Sequence, residues 1–162
     1  MTTIRPLDPA ADLPLVAGFY RAAPDYWLFA EGKAPDAAKA AAFFTDGPPG
    51  CDPARSHRLG LFLGGHLVGL AELSFGFPLT EDAYLGLMIL APEIQRQGHG
   101  ARFLAHAETL ARASCATRLY LAVIEANTGG RAFWEREGFR ATGLSGDDPE
   151  TGHRLHRLVK PL

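Results

Sequence analysis

The sequence is short of cysteine and has no excess of basic residues, and each shortage excludes a class of protein. Its only cysteines, Cys51 and Cys115, are far apart and outside any CxxC pair, so neither a zinc site nor a disulfide framework is indicated. Free thiols in a reducing cytoplasm are the simpler expectation. Sixteen Lys and Arg residues stand against eighteen Asp and Glu residues, which gives a formal charge of −2. Since nucleic-acid-binding domains normally carry a basic excess, no nucleic-acid partner is expected.

Long apolar segments are absent as well. No window approaches about 18 uninterrupted apolar residues, the length of a membrane-spanning helix, and the first five residues have no apolar core of signal-peptide length. We therefore predict a cytoplasmic protein without a membrane partner. The 162 residues, 47% of them hydrophobic, suit one globular domain over 1–162. A chain of this size buries roughly 70% of the surface that it exposes when unfolded, so its core needs no metal or disulfide.

Hydrophobic periodicity predicts seven strands and four helices. The strands are predicted over residues 3–7, 59–63, 67–77, 84–90, 118–124, 140–144 and 154–159. The helices are predicted from Asp8–Asp12 to Pro24, from Pro35–Asp36 to Phe44, from Gly98–Gly100 to Ser114, and over 130–137. Asp8 and Asp12 are the predicted caps of the first helix. The near-continuous apolar run over 84–90 indicates a central strand that is covered on both faces.

The most informative segment is QRQGHGA over 95–101, between this central strand and an amphipathic helix. Glycines there let the backbone approach a ligand closely, and the free N–H groups of a first helical turn attract phosphate. No GK[ST] follows, so the segment is not a Walker loop, and Phe103 stands where a dinucleotide-binding GxGxxG turn needs Gly or Ala. The glycines indicate either a turn for a phosphate-bearing ligand or one that only packs tightly.

Gln95, Gly98 and Gly100 fit the motif [QR]xxGx[GA], and in this the sequence resembles the GNAT superfamily of acyl-CoA-dependent N-acetyltransferases. A second similarity lies downstream, where Asn127 precedes a helix that ends in Gly138-Phe139. Two independent motifs in the right order are much rarer than either alone. The resemblance implies an α/β (α+β) fold. It predicts a single GNAT-like domain with a mixed, mostly antiparallel sheet of about seven strands, splayed in the middle and flanked by about four helices.

The resemblance also implies acetyl-CoA (CoA) as the acetyl donor. The pyrophosphate would bind the backbone amides of 97–101, and the pantetheine arm would run beside the strand edge at 87–90. An unpaired N–H near Ile89 or Leu90 would hold the thioester carbonyl. Asn127 would either bond the cofactor arm or cap the helix that follows. The implied cofactor-binding residues are Met88, Ile89, Leu90, Gln95, Arg96, Gln97, Gly98, His99, Gly100, Ala101, Asn127, Phe133 and Trp134.

Direct attack on a thioester needs a neutral amine, so an ammonium acceptor with a pKa of roughly 10 must first lose a proton. Several GNAT enzymes carry a glutamate on the strand that corresponds to that of Glu72, which makes Glu72 the favoured base; the alternative is a glutamate that faces solvent. Tyr84 and Glu125 are further candidates near the same strand ends.

The family's general acid is often a tyrosine where this sequence has Trp134, whose indole N–H does not titrate usefully. Water, Tyr120 or Tyr84 would then protonate the departing thiolate.

Tyr26, Trp27 and Phe29 crowd the end of the first helix, where they either wall a substrate pocket or fill a small core. His153 and His156 lie three apart on a predicted strand, which points them to opposite faces, so no metal site is expected.

The sequence predicts acetyl transfer from acetyl-CoA to the primary amine of a small molecule by direct attack. The alternatives are acetylation of protein lysines or amino termini, and a non-catalytic acyl-CoA-binding module. A monomer or a homodimer is expected.

Overall fold

The computed structural model describes residues 1–162 and contains seven strands and five helices. The strands are β1 (Thr2–Pro6), β2 (His57–Leu63), β3 (His66–Phe75), β4 (Asp82–Leu90), β5 (Arg118–Ile124), β6 (Arg140–Asp147) and β7 (Arg154–Pro161). The helices are α1 (Leu13–Ala22), α2 (Asp25–Glu31), α3 (Ala37–Ala42), α4 (His99–Ala113) and α5 (Thr128–Arg136). The predicted α/β domain with seven strands is confirmed, with one helix more than predicted.

The strands form one sheet in the order β1-β2-β3-β4-β5-β7-β6. Every neighbouring pair is antiparallel except β4 and β5, which run parallel because α4 carries the chain from one to the other. Gly64 and Gly65 make the tight turn between β2 and β3, and both have positive φ values, 56° and 83°, which favour glycine. The sheet is therefore mixed and mostly antiparallel, as predicted.

Two features of β4 shape the middle of the sheet. Glu72 of β3 pairs with Leu87 while Leu73 pairs with Leu85, so Gly86 is the extra residue of a β-bulge. On its other side, β4 pairs with β5 only through its first three residues. The two strands separate beyond that point, so the predicted splay is confirmed and a gap opens between their carboxyl ends.

Helices cover both faces of the sheet. On one face α1 packs on β3 with Val16, Phe19 and Tyr20 buried. On the opposite face α4 is joined to β7 by an ion pair between Glu108 and Lys160. None of the five helices is long and apolar enough to span a bilayer. The face under α1–α3 carries Glu72, and the gap between β4 and β5 opens beside it.

Three of the differences between predicted and observed elements have a clear physical reason. The unpredicted α2 begins directly after Pro24, and its seven residues are too few for a helical period to be read from the sequence. β4 begins earlier than predicted because the buried Asp82 carboxylate accepts hydrogen bonds from Arg118 (3.0 Å) and from the Leu79 N–H (3.1 Å). β6 was predicted to end at residue 144 but continues to Asp147. Nearly all its residues are exposed, so pairing with β7, and not burial, stabilises the added residues.

Candidate active site

The turn before α4 carries unpaired backbone N–H groups. Gly98 caps the helix in the left-handed conformation (φ 86°), and Arg96 also has a positive φ (62°). The backbone N–H groups over 97–101 donate to no group within the protein. They lie at the amino-terminal end of a 15-residue helix, where the helix dipole adds a partial positive charge. The turn can therefore hold an anion such as phosphate.

Side chains of the same turn donate hydrogen bonds to the end of β4 and to the segment that follows it. The Gln95 side chain donates to the Leu90 carbonyl (3.1 Å), and the Gln97 side chain donates to the Glu93 carbonyl (2.9 Å). The two glutamines therefore set the shape of the turn, and what the turn offers a ligand is its backbone. Arg96 is exposed beside these amides, while Ala101 is half-buried. His99, the first residue of α4, is half-buried like Ala101.

Phe133 of α5 packs against Gly100 in the first turn of α4. A Cβ at Gly100 would lie 3.2 Å from Phe133 Cε1 and 3.5 Å from Leu90 Cδ1, so the glycine is what lets helix and ring approach this closely. Trp134 packs edge-on against Phe133 and Phe139, with ring centroids 4.9 Å and 5.5 Å away. Trp134 therefore belongs to the packing of α5, whereas Phe133 forms the wall beside the glycine turn.

Asn127 caps α5. Its Oδ1 accepts a hydrogen bond from the Gly130 N–H at 2.9 Å. A Cβ at Gly130 would lie 2.5 Å from Asn127 Nδ2, which explains why a glycine follows the cap. Of the two roles predicted for Asn127, helix capping is therefore the one that this hydrogen bond shows. Its Nδ2 makes no hydrogen bond within the protein.

The edge of β4 that faces the gap also has free backbone groups. The Ala91 N–H donates to the Val68 carbonyl of β3 (2.8 Å), so these two residues are a hydrogen-bonded antiparallel pair. Because such pairs alternate, the N–H and C=O groups of Ile89 point to Leu70 of β3, whereas those of Met88 and Leu90 point into the gap. Of the two amides predicted to hold a carbonyl, the alternation excludes Ile89 and leaves Leu90.

A cavity of ≈ 490 Å³ lies under α1–α3, next to the gap, and Glu72 forms part of its wall. The Glu72 side chain is only 6% exposed, so the alternative in which it faces solvent is wrong. Its carboxylate accepts a hydrogen bond from the Ser74 hydroxyl, and Arg58 Nη2 lies 3.8 Å from Oε1. Gly86 and Leu87 of β4 line the same cavity, so it reaches the strand whose edge is free.

Burial raises the pKa of Glu72, because a charged carboxylate is poorly solvated there. The hydrogen bond from Ser74 and the positive charge of Arg58 oppose the rise, and nearby Asp46 adds to it. The net direction is upward. A buried carboxylate whose pKa is raised toward neutrality is suited to take a proton from a bound acceptor.

Arg58, which faces Glu72 across β2 and β3, was not predicted from the sequence. Its Nε donates to Ser56 Oγ (2.8 Å) and its Nη1 donates to the Phe43 carbonyl (2.6 Å), while Nη2 is buried without a hydrogen-bond partner. Burial lowers the pKa of Arg58, and the charge of Glu72 opposes that fall. The only sequence signal for this pair is the register of the β2–β3 hairpin, and a β-bulge shifts that register.

The two tyrosines proposed for catalysis pair with each other where β4 and β5 separate. Tyr84 lines the cavity, packs on Phe77 with ring centroids 5.3 Å apart, and has its pKa raised by burial. Tyr120 is half-buried beside the Arg118 guanidinium and does not line the cavity. Of the two tyrosines, only Tyr84 therefore lies in the cavity wall.

The aromatic residues predicted to wall a substrate pocket have three different places. Trp27 is buried and lines the cavity, with Lys39 Nζ 4.1 Å from its ring centroid. Tyr26 packs edge-on against Trp27 from outside the cavity. Phe29 is 41% exposed and packs on His153, so it is no part of the cavity wall. Of the three, Trp27 therefore lines the cavity, Tyr26 packs against the core, and Phe29 does neither.

His153 and His156 each have a protein partner. His153 Nε2 lies 3.2 Å from the Phe29 carbonyl, and His156 Nε2 lies 2.9 Å from Glu125 Oε1. No group of three or more His, Cys, Asp and Glu side chains is placed to hold a metal ion. Glu125, a further candidate base in the sequence, therefore pairs with His156 and does not line the cavity.

Comparisons with known proteins agree with this arrangement. The sequence profile described as the Acetyltransferase (GNAT) family matches residues 16–139. Curated protein sequences give no match. Among solved structures, an acetyltransferase from Thermus thermophilus is 27% identical, with a TM-score of 0.77 over 100% of this chain and 97% of that chain.

Two further solved structures share the fold at lower identity. PaiA N-acetyltransferase from Thermoplasma acidophilum, in complex with coenzyme A, is 20% identical, with a TM-score of 0.74 over 100% of this chain and 99% of that chain. The ribosomal-protein-S18-alanine N-acetyltransferase from Escherichia coli is 20% identical, with a TM-score of 0.72 over 99% and 94% of the two chains. With the profile match, the splayed sheet and the glycine turn, the chain belongs to the GNAT family of acetyltransferases.

Proposed function

We propose that the protein is an N-acetyltransferase that moves an acetyl group from acetyl-CoA to the primary amine of a small molecule by direct attack. The observation that supports this most is the position of Glu72, a buried carboxylate in a cavity that reaches the free edge of β4. The PaiA enzyme, which shares the fold, is in complex with coenzyme A. The two ligand sites of a transferase would then lie side by side in this fold.

The residues present fit the donor. The free N–H groups over 97–101 and the left-handed Gly98 would hold its phosphates, since open space lies beside the Cα of Gly98. The Leu90 N–H, which points into the gap, would hold the carbonyl oxygen and stabilise the negative charge that develops on it. When bound, acetyl-CoA supplies the acetyl group as a thioester that a neutral amine can attack.

Glu72 would make the acceptor nucleophilic. An alkylammonium has a pKa of roughly 10 and holds its proton at neutral pH. Glu72 would take that proton, because burial raises the pKa of its carboxyl and the residue forms part of the cavity wall. Tyr84 lines the same cavity and is placed to hydrogen-bond the acceptor nitrogen. We assign no general acid, because a thiol with a pKa of roughly 8.5 leaves without one.

The size of the cavity favours a small acceptor over a protein lysine or amino terminus. Its ≈ 490 Å³ fall within the range of about 300–1,000 Å³ that is typical of small-molecule sites. Trp27 of α2, and Phe43 and Pro48 of the segment after α3, line it on the side away from the sheet. A polypeptide acceptor would need an open groove at this place.

Thermal unfolding with acetyl-CoA, free CoA and NAD, followed by thiol release with a panel of amines, tests the proposal. A ligand that binds only the folded protein raises its melting temperature. We expect a shift with both CoA compounds, none with NAD, and thiol release with at least one small amine. No shift with CoA would contradict the donor site, and a shift without thiol release from any small amine or peptide would favour a non-catalytic acyl-CoA-binding module.

A further inference from the structure

The charged side chains in the cavity wall indicate which charged groups the acceptor carries. We infer that the acceptor is an amino acid, whose amine lies against Glu72 and whose carboxylate binds Arg157. This inference rests on the proposed transfer to a small amine and names the chemistry of that amine. Arg157 lies on β7, across the gap from β4, and no sequence pattern singled it out.

Arg157 is the cavity's one cation without a carboxylate partner. Lys39 pairs with Glu31 at 2.8 Å, and Arg58 faces Glu72 at 3.8 Å. The guanidinium of Arg157 forms no ion pair in the protein. A half-buried guanidinium in a small-molecule cavity without a protein anion is complementary to an anion on the ligand.

Aromatic rings hold Arg157 in place for this role. Its guanidinium carbon lies 5.1 Å from the Phe77 ring centroid and 5.8 Å from the Tyr84 ring centroid. Both contacts are of the cation–π kind, which fix the planar group while leaving N–H donors available to a ligand. A guanidinium oriented in this way matches the geometry of a carboxylate, to which it can donate two parallel hydrogen bonds.

The other end of the cavity is acidic. Glu72 is there, and Asp46 is close enough for its charge to raise the pKa of the Glu72 carboxyl. Asp46 lines the cavity and makes no ion pair within the protein. Tyr84 lies near both groups, since its ring centroid is 5.8 Å from the Arg157 guanidinium carbon and it pairs with Ser74, whose hydroxyl bonds Glu72. A ligand that carries both an ammonium and a carboxylate complements this arrangement.

Arg58 gives a second, independent indication that the ligand carries hydrogen-bond acceptors. Its Nη2 is a buried donor in the cavity wall without a partner, and its side chain is only 6% exposed. Burying such a donor without a partner is costly, so an oxygen atom of the ligand is expected beside it. An alkylamine without oxygen would leave this donor unsatisfied.

Matched pairs of acceptors test the inference. Each of a panel of amino acids is compared with the amine that remains when its carboxyl group is removed, for example leucine with isopentylamine. The readouts are kcat and KM from thiol release, and calorimetric binding of the same compounds to the CoA-loaded protein. The variants are Arg157→Gln and Arg157→Lys, with Arg154→Gln as the matched control on the same strand, since Arg154 pairs with Asp147 outside the cavity.

We expect amino acids to bind more tightly than their matched amines in the wild type. Arg157→Gln should weaken amino-acid binding about 10- to 100-fold through KM, with amine binding unchanged, because one charge-assisted contact is lost. Arg157→Lys should restore part of this loss, and Arg154→Gln should change neither class. Equal binding of both classes, or an equal loss of both in Arg157→Gln, would overturn the inference while leaving the transferase activity in place. If no compound releases thiol, the proposed transfer fails, and calorimetry alone still decides whether Arg157 binds a carboxylate.

Discussion

The carboxylate of Glu72 occupies the space into which a side chain at Gly86 would project. A Cβ at residue 86 would overlap Glu72 Oε2 and would lie 3.1 Å from its Cδ. Gly86 is also the bulged residue of β4, at the point where the strand leaves regular pairing with β3. The glycine therefore both bends the strand and gives the buried carboxylate its room.

Gly86→Ala should displace Glu72 from this position. We expect thiol release to fall at least about 10-fold, since a misplaced base loses much of its contribution, and the free energy of unfolding to fall by about 1–3 kcal/mol through overpacking. CoA affinity, measured by calorimetry, should stay within about twofold because the glycine turn is untouched.

Gly146→Ala is the matched control, because Gly146 lies on the exposed strand β6 and a Cβ there would meet no atom within 4 Å. It should leave thiol release unchanged. Normal turnover in Gly86→Ala would show that the position of the Glu72 carboxylate does not matter for catalysis.

Glu72→Gln should change the pH dependence of the reaction as well as its rate. Glu72 accepts a proton only when ionised, so wild-type kcat/KM should rise with pH through the pKa of Glu72, which burial holds above the ordinary value of 4.5, and then level off. In the variant, kcat/KM should fall by about 10²–10⁴-fold and rise about tenfold per pH unit up to the pKa of the free acceptor, since only neutral amine then reacts. Two parallel profiles would remove Glu72 from the role of base.

Gly98→Trp should abolish CoA binding without disturbing the fold around it. A Cβ at Gly98 would meet no atom within 4 Å, so the indole would extend over the free N–H groups of the turn. We expect the Kd for CoA to rise more than about 100-fold, with a loss of about 1–2 kcal/mol in stability from the positive φ. The measurement is calorimetric titration with CoA.

Gly152→Trp is its control, because Gly152 also has a positive φ (77°) and open space around its Cβ position, in the loop between β6 and β7. The two variants should lose similar stability, and only Gly98→Trp should lose CoA. Unchanged CoA binding in Gly98→Trp would mean that the turn serves packing alone.

Asp12→Asn should destabilise the protein at neutral pH and not in acid. Asp12 was predicted to cap α1, but its carboxylate instead accepts two hydrogen bonds from Arg5 (2.9 Å each) and one from the Asp8 N–H (2.7 Å). The Arg5 contact and then the Asp8 N–H lower the pKa of Asp12 below its ordinary value of 3.8. The stabilisation is therefore complete above that ordinary pKa and is lost as the pH falls through the lowered one.

We expect urea unfolding at pH 7 to show a loss of about 1–3 kcal/mol in Asp12→Asn. The difference from the wild type should shrink as the pH falls toward the lowered pKa of Asp12. Asp147→Asn removes an exposed ion pair with Arg154 and should cost less than about 1 kcal/mol. A loss in Asp12→Asn that is the same at every pH would assign the effect to packing.

The sequence predicted those parts of the site that depend on neighbours along the chain. The glycine turn lies between an apolar strand and an amphipathic helix, and both have periods that a short window contains. Gly98 and Gly100 are three and five residues from Gln95, so one motif covers the whole turn. Phe133 and the cap residue Asn127 likewise lie close together, in α5 and at its start.

The acceptor side was less predictable because its residues meet through strand pairing. Arg58 reaches Glu72 only through the register of a hairpin that contains a bulge. Arg157 reaches the cavity because β7 inserts between β5 and β6, an order that the succession of elements does not reveal. The Glu72 carboxylate could be recognised as buried only once the place of Gly86 in β4 was known.

The short pairing between β4 and β5 affects how stiff the sheet is. Within the sheet, strand pairing connects the part formed by β1 to β4 with the part formed by β5, β7 and β6 through three residue pairs only. The Asp82–Arg118 ion pair spans this junction at 3.0 Å, so β4 and β5 are held together at one end of the junction and are separate at the other. A molecule bound in the gap would contact both parts of the sheet and connect them at the end where the strands do not pair. We therefore expect the sheet to be stiffer when the gap is filled. Amide hydrogen exchange in the strands on either side of the junction should then be slower with a bound molecule than without one, even at residues that do not touch it.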